Sequence, residues 1–424
     1  MNQSSQLFAH RFLALLAIAF CLLLLVEGLL PQLQMFLLGG QVLLANSLIK
    51  ILLLATIVLG CILCPEINLS KLPMFMWTLC VVFLFLEIGH LMFAHSMSLD
   101  VVLFGYNAYY LLLLIGPAIL VFRDMISERV IVRLIVIIFL VCAPMGFAQY
   151  ATSQPILPTE SSDGGFTVLS YQFLGEVRAF SLFGSPMGFG LFSALVGALG
   201  IAMSRTMPLR GSLLSLLAVG ACFTTLTRLS YLVFACACLS SLILTYGKKP
   251  RRDLWSPILY LVLGIATIFT GLASTLGSGA SSIQNSASLL DRIYQWTYYS
   301  QYILDSNLAS QLFGSGLIQN EKLAEPLPMV IDNSPLALIV HIGIVGLVLF
   351  SILLMQMWLY LRREALKTRK PLVIAAASLW ATLACAGIFN LVFSTFGLVF
   401  ALIVLCDKDS STQLKVPDVV PVSQ

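Results

Sequence analysis

The sequence predicts an all-α polytopic membrane protein with about twelve transmembrane helices. Three observations predict it. Of the 424 residues, 59% are apolar and only 10% are charged, against about 25% charged in ordinary soluble domains. The apolar residues fall in continuous runs close to the roughly 20 residues that cross a bilayer, whereas a β-barrel would alternate over segments of about ten. Lys and Arg also divide unevenly between successive connecting loops. This composition excludes both a water-soluble enzyme and an intrinsically disordered chain.

The runs lie at residues 12–30, 44–63, 73–95, 101–122, 130–150, 181–203, 211–226, 229–246, 254–274, 334–361, 371–389 and 391–406. The expected organisation follows from them. Residues 1–150 form a bundle of spans 1–5, and 151–180 form an outer loop. Residues 181–274 carry spans 6–9, and 275–333 form a large loop. Residues 334–406 carry spans 10–12, and 407–424 form a tail. Only Thr227-Arg228 divides the stretch from 211 to 246, and the stretch from 371 to 406 divides near Asn390. The first run is expected to be a span rather than a cleaved signal. It is long, Glu27 stands near its end, and no small-x-small site follows.

Twelve spans place both termini on one side. Of the 23 Lys and Arg, Lys50 falls within a span, and Arg178, Arg228, Arg292 and Lys322 fall on the far side. The other eighteen share the near side, which is therefore cytoplasmic. The ten cysteines all lie inside or at the ends of apolar runs, so no disulfide framework is expected. Cys61-x-x-Cys64 has no second pair and no nearby His, and it reads as packing rather than as a metal or redox site. Glu87 and His90 share a helix face and read as a satisfied internal pair, with Lys50 a candidate third member and a proton relay as the alternative. His341 reads as a packed histidine. No metal, cofactor or nucleic acid is expected.

The far-side arginines break the charge rule, and each does so in a distinctive setting: Arg178 in GEVRAFSLFGSP, Arg228 in TTLTRLSY, Arg292 in SLLDRIYQWTYY. Taken singly, each could cap a helix or pair with Glu176 or Asp291. Taken together they point to a shared anionic ligand. A guanidinium stays charged, is weakly hydrated and matches phosphate oxygens bidentately. At the outer membrane face such a phosphate is expected to be lipid-linked.

The large loop begins Gly/Ser-rich and then predicts a helix from about 286 to 304. Arg292, Trp296 and Tyr299 fall on one of its faces, within a cluster that also holds Tyr294, Tyr298 and Tyr302. Such a cluster serves either as an interfacial aromatic belt or as a surface on which sugar rings stack, with Tyr294, Trp296 and Tyr299 the candidates. Asp332-Asn333 stands just before the tenth span. Asp332 either orients and deprotonates an attacking hydroxyl or caps the helix. Asn333 is a further candidate sugar contact.

These motifs occur in a recognisable order. Gly146-Phe147-Ala148-Gln149 is followed by Arg178-x-x-Ser181-x-Phe183-Gly184-Ser185-Pro186 and by Leu226-Thr227-Arg228-Leu229-Ser230. Asp291-Arg292-x-x-x-Trp296, Leu312-Phe313-Gly314-Ser315-Gly316-Leu317, Asp332-Asn333-Ser334-Pro335 and Gly343-Ile344-Val345-Gly346-Leu347 come after them. Over residues 140–360 the chain resembles the bacterial O-antigen ligase and polymerase superfamily. The resemblance implies a multi-span glycosyltransferase fold of GT-C-like type in the inner membrane, with a large late periplasmic loop containing short amphipathic helices. It implies action on undecaprenyl-pyrophosphate-linked glycans at the periplasmic face. By motif, Arg178, Arg228 and Arg292 correspond to the arginines that hold the pyrophosphate. Asp332 is then the candidate base or orienter, and Glu176 the second candidate.

Ligases of the superfamily carry a His-Asn pair where this chain has Asp332-Asn333, which favours a polymerase. Membrane lipids and a chain-length regulator are the further partners implied. A ligase that transfers the glycan to lipid A-core is the alternative. A small-anion transporter is the competitor from another class, but no inverted repeat and no matched pair of broken helices supports it.

Overall fold

The computed structural model describes residues 3–25, 45–63, 127–154, 172–173, 176–183, 185–247, 255–277, 283–314, 334–382 and 385–386. Its helices are α1 (Gln3–Leu25), α2 (Ala45–Leu63), α3 (Glu128–Thr152), α4 (Pro186–Ser204), α5 (Pro208–Thr224), α6 (Arg228–Tyr246), α7 (Ser256–Gly277), α8 (Ile283–Asp305), α9 (Leu308–Phe313), α10 (Ser334–Thr368) and α11 (Pro371–Ala381). The only strands among the described residues are β1 (Gln172–Phe173) and β2 (Glu176–Val177), paired antiparallel with Phe173 opposite Glu176. The protein is all-α in class, and helices occupy nine of the twelve expected runs. The runs at 73–95, 101–122 and 391–406 lie outside the described residues, as do Glu27, Cys64, Glu87, His90 and the tail. So do the side chains of Lys50, Cys61 and His341.

Four of these helical stretches are long and apolar enough to cross a membrane: Glu128–Thr152, Pro186–Ser204, Arg228–Tyr246 and Ile342–Thr368. At about 1.5 Å of rise per residue, the 25 residues of α3 span about 38 Å, more than the roughly 30 Å of hydrocarbon. Three helices start on a proline. Pro186, Pro208 and Pro371 each stand in the first turn, where a missing N–H costs nothing and φ is already set for a helix. Ser185 caps α4 by accepting a hydrogen bond from the Gly188 N–H at 3.0 Å.

The centre of the bundle is α4. It is buried almost throughout, packed between α5, α6 and α11, with α3 alongside. Small residues make this possible. In hydrocarbon, burial of apolar surface gives no drive for helix pairing, so close backbone approach and interhelical hydrogen bonds carry the association. A Cβ added to Gly190 would lie 2.1 Å from the Ser230 Oγ of α6. One added to Gly200 would lie 2.7 Å from the Gly211 carbonyl oxygen of α5. Ser241 and Ser215 donate to the Ala198 and Gly197 carbonyls of α4 at 2.7 and 3.1 Å. The apolar side chains Leu209, Leu213, Leu216 and Phe223 on the opposite side of α5 are exposed, as expected of a face that meets lipid.

The two ends of the bundle differ. At one end the Ser204 and Tyr246 hydroxyls are 2.8 Å apart, the Arg369 guanidinium donates to the Leu244 carbonyl, and the Leu372 N–H donates to Glu128 Oε1 at 3.1 Å. Arg129, Arg205, Arg210, Lys367 and Lys370 belong to this end. The opposite end gathers the close of α3, the start of α4 and the turn between α5 and α6.

Helix α10 is broken at Gly343, where φ is 71° and ψ is −177°. Its first segment packs on α8 through Tyr299, Ala337 and Val340, flanked by Tyr298, Ile303 and Leu336. The break admits α9: a Cβ at Gly343 would stand 2.2 Å from the Leu312 carbonyl oxygen.

Candidate functional site

Arg178 is carried by a short extended segment that the bundle grips at several points. Pairing of β2 with β1 holds the segment before it. Val177 and Ala179 are buried on either side, and Arg178 itself is half-buried. This is the alternation expected of extended backbone. The Ala179 N–H donates to the Thr224 carbonyl at the close of α5, at 3.0 Å. The chain then turns, with the Phe183 N–H donating to the Phe180 carbonyl at 2.9 Å.

That turn is held from α3 by Gln149, whose side chain is buried. Its Oε1 accepts from the Phe180 N–H at 3.1 Å and from the Ser181 N–H at 2.7 Å. Its Nε2 donates to the Ser181 carbonyl at 3.3 Å. Ser181 completes the junction by donating its hydroxyl to the Cys142 carbonyl at 2.7 Å. Ser181 has φ of 53°, a left-handed conformation that costs a side-chain-bearing residue about 1 kcal/mol or more.

Arg228 opens α6 four residues after Thr224 and is exposed. The turn before it is strained as well, with Leu226 at φ 47°. Thr227 occupies the cap position, but its hydroxyl donates to the Thr225 carbonyl at 2.9 Å and makes no cap bond to α6. The first-turn N–H groups of α6 therefore lack a side-chain cap beside Arg228, where the helix dipole adds to the positive potential. The Ala179–Thr224 hydrogen bond brings the Arg178 segment and the Arg228 turn to the same end of the bundle. That end is the one opposite Arg205, Arg210 and Lys370.

Aromatic rings border this place. Phe223 and Tyr231 stack at 6.1 Å with 10° between their planes, and Tyr150 meets Phe223 edge-on at 6.3 Å. The Tyr231 hydroxyl donates to the Phe223 carbonyl at 2.8 Å, and Arg178 lies within electrostatic reach of Tyr231.

The remaining sequence-predicted residues stand as follows. The backbone of Glu176 is in β2 and that of Arg292 is in α8, and both side chains lie outside the described residues. Asp332 and Asn333 also lie outside them, immediately before the first residue of α10. Tyr294 is exposed and Trp296 half-buried. Tyr299 is buried against α10 and meets Tyr298 edge-on at 5.4 Å. Burial and the neighbouring Tyr298 push its phenol above the usual tyrosine range. Among the described residues, no three His, Cys, Asp or Glu side chains gather as metal ligands would.

Gln149, Tyr150, Phe223 and Tyr231 are absent from the sequence-derived site. The signal for Gln149 was present in the Gly146-Phe147-Ala148-Gln149 motif, but its partners are more than 30 positions away. For the rings, the only trace is their position near the ends of three apolar runs.

The fold and this end of the bundle define a helical membrane protein with paired basic turns at one face. Residues 213–351, a third of the chain, match the family described as O-antigen ligase. The match runs from within α5 into α10 and takes in Arg228 and Arg292, while Arg178 precedes it. It supports the O-antigen ligase/polymerase superfamily, whose members are glycosyltransferase-like enzymes acting on glycans. No curated protein matches the chain.

Proposed function

We propose that this protein is a polysaccharide polymerase that joins undecaprenyl-pyrophosphate-linked repeat units at the periplasmic face of the bacterial inner membrane. The observation that carries this reading is the hydrogen-bonded junction of the Arg178 segment with the Arg228 turn. It joins the backbone beside Arg178 to the close of α5, four residues before Arg228, at the end of the bundle away from the basic loops, and this supports a pyrophosphate site there.

In the proposed reaction, a hydroxyl of the acceptor glycan attacks C1 of the donor's first sugar from the face opposite the leaving group. The new C–O bond forms as the bond from C1 to the pyrophosphate oxygen breaks, so the anomeric centre inverts. The hydroxyl proton passes to Asp332, with Glu176 as the second candidate, and undecaprenyl pyrophosphate departs with the bonding electron pair. Arg178, Arg228 and Arg292 stabilise the charge that builds on the leaving group, a preorganised electrostatic contribution that needs no metal. The enzyme's other task is to align hydroxyl and C1. Tyr294, Trp296 and Asn333 are the proposed sugar contacts, and Tyr299, packed against Ala337 and Val340, seats their helix on α10 instead. A chain-length regulator is the expected protein partner.

The test is reconstitution. The purified protein, given a synthetic undecaprenyl-pyrophosphate oligosaccharide of the host's repeat in the presence of EDTA, is expected to yield a ladder of products by mass spectrometry. Replacing Arg178, Arg228 or Arg292 by Ala is expected to lower the rate about 100-fold or more with the protein still inserted. Wild-type ladders from all three variants would refute the site.

The family description favours a second reading, a ligase that transfers the glycan to lipid A-core. It predicts no ladder from donor alone and transfer once lipid A-core is added. Deleting the gene separates the readings too. Loss of a polymerase leaves single repeats on the core, and loss of a ligase strands polymer on the carrier lipid.

A further inference from the structure

We infer that Gln149 is a positioning residue for this reaction. Through the Phe180–Ser181 turn it fixes the place of Arg178 against the start of α6. The inference rests on the proposed role of Arg178 and adds to it the group that sets that arginine's geometry.

The argument begins with donor and acceptor counts. The turn presents two N–H groups and one carbonyl to α3. One carboxamide satisfies all three, because Oε1 takes both N–H groups while Nε2 reaches the carbonyl. A carboxylate would take the two N–H groups and then face the Ser181 carbonyl with no proton to give. An apolar side chain would leave both N–H groups unpaired in a buried place, a cost well above that of an ordinary lost hydrogen bond. Asn offers the same chemistry one methylene short.

The second step is strain. Ser181 and Leu226 each follow or precede a proposed pyrophosphate arginine by two or three residues, and both are left-handed without being glycine. Such residues stay in place only where their surroundings over-determine them. For Ser181 those surroundings are Gln149 and the Cys142 carbonyl. For the Leu226 turn they include the Ala179–Thr224 bond. If Gln149 releases, Phe180 and Ser181 can relax, and the segment that carries Arg178 can turn about its bond to Thr224. Misplacement of a charged group by about 1 Å is enough to cost about 100-fold in rate.

The test compares Gln149→Asn in two backgrounds, the wild type and Arg178→Lys, which retains a cation and residual turnover. The readouts are kcat and KM for the undecaprenyl-pyrophosphate oligosaccharide, together with the thermal unfolding midpoint. In the wild type, kcat is expected to fall about tenfold or more, with a smaller change in KM. In Arg178→Lys the same change is expected to cost less than twofold, because the arginine fork that Gln149 places is already gone. Equal losses in both backgrounds would make Gln149 a structural residue and overturn the proposal, as would no loss in a folded variant. Should Gln149→Asn fail to insert, Gln149→Glu keeps an oxygen that accepts from both N–H groups but puts a second oxygen, charged when ionised, where Nε2 donated to the Ser181 carbonyl. It is read in the same two backgrounds by the same criteria. If Arg178→Lys and Arg178→Ala both turn over at the wild-type rate, the site reading itself has failed, an outcome distinct from equal losses.

Discussion

Gly190 shows how little room the central helix has. A methyl group there would lie 2.1 Å from Ser230 Oγ and 2.4 Å from Ser230 Cβ, but 3.6 Å from Ser230 Cα. The obstruction is one side chain, so Gly190→Ala is expected to destabilise the α4–α6 contact by about 1–3 kcal/mol, as overpacking does. Ser230→Gly in the same chain is expected to restore most of the loss, since only the ordinary contact to Cα remains. Thermal unfolding of the two single variants and the double variant would measure the coupling. Simple additivity would show that the helices do not meet as described. The chemistry of Arg178 belongs to the same scale. Its fork can hold two phosphate oxygens at once, whereas an ammonium is a point charge. Arg178→Lys is therefore expected to keep donor binding partly intact and to lose about 10- to 100-fold in kcat, measured on the lipid-linked oligosaccharide.

Among the elements, the junction of α9 with α10 is the most constrained. Gly343 combines a positive φ with a ψ near 180°, a region open almost only to glycine. The space its Cβ would fill is occupied by the Leu312–Phe313 backbone, which has no flexible tip to swing aside. Gly343→Ala is expected to separate α9 from α10 and to expose the chain around residues 305–314 to limited proteolysis, with α4, α5 and α6 still protected. Unchanged protection of that segment would refute it. The elements also show what can be read from sequence. Helices α3 to α7 are legible because bilayer thickness fixes run length. Helix α8 is legible from its 3.6-residue period. The break at Gly343 is not legible, because a glycine inside an apolar run reads equally as small-residue packing. Tyr299 shares the period of Arg292 and Trp296, but periodicity does not say whether a face meets solvent or a neighbouring helix. Here Tyr299 packs against Ala337 and Val340.

For the whole molecule, the decisive feature is the difference between its ends. Arg178 and Arg228 stand out in the sequence because they defy the charge asymmetry, and the fold gathers them at the end away from Arg205, Arg210 and Lys370. Gln149 stays hidden in the sequence because a hydrogen bond across 31 positions leaves no local pattern. The asymmetry makes an orientation prediction that is independent of any enzymatic assay. Gln154 follows α3 at the arginine-bearing end, Thr206 lies between α4 and α5 at the basic end, and both are exposed. The described native cysteines are buried except for Cys238, which is half-buried, so the unmodified chain serves as the labelling blank. With Gln154→Cys, a membrane-impermeant thiol reagent is expected to label intact spheroplasts. With Thr206→Cys, labelling is expected only after the membrane is opened. The charge argument predicts this order because Lys and Arg are retained on the cytoplasmic side during insertion. The reverse order would turn the arginine pair toward the cytoplasm, where nucleotide-linked donors are available, and the reading of a lipid-linked donor at the outer face would fall. Labelling of both sites from outside would mean that α4 does not cross the membrane, and the span assignment would fall with it.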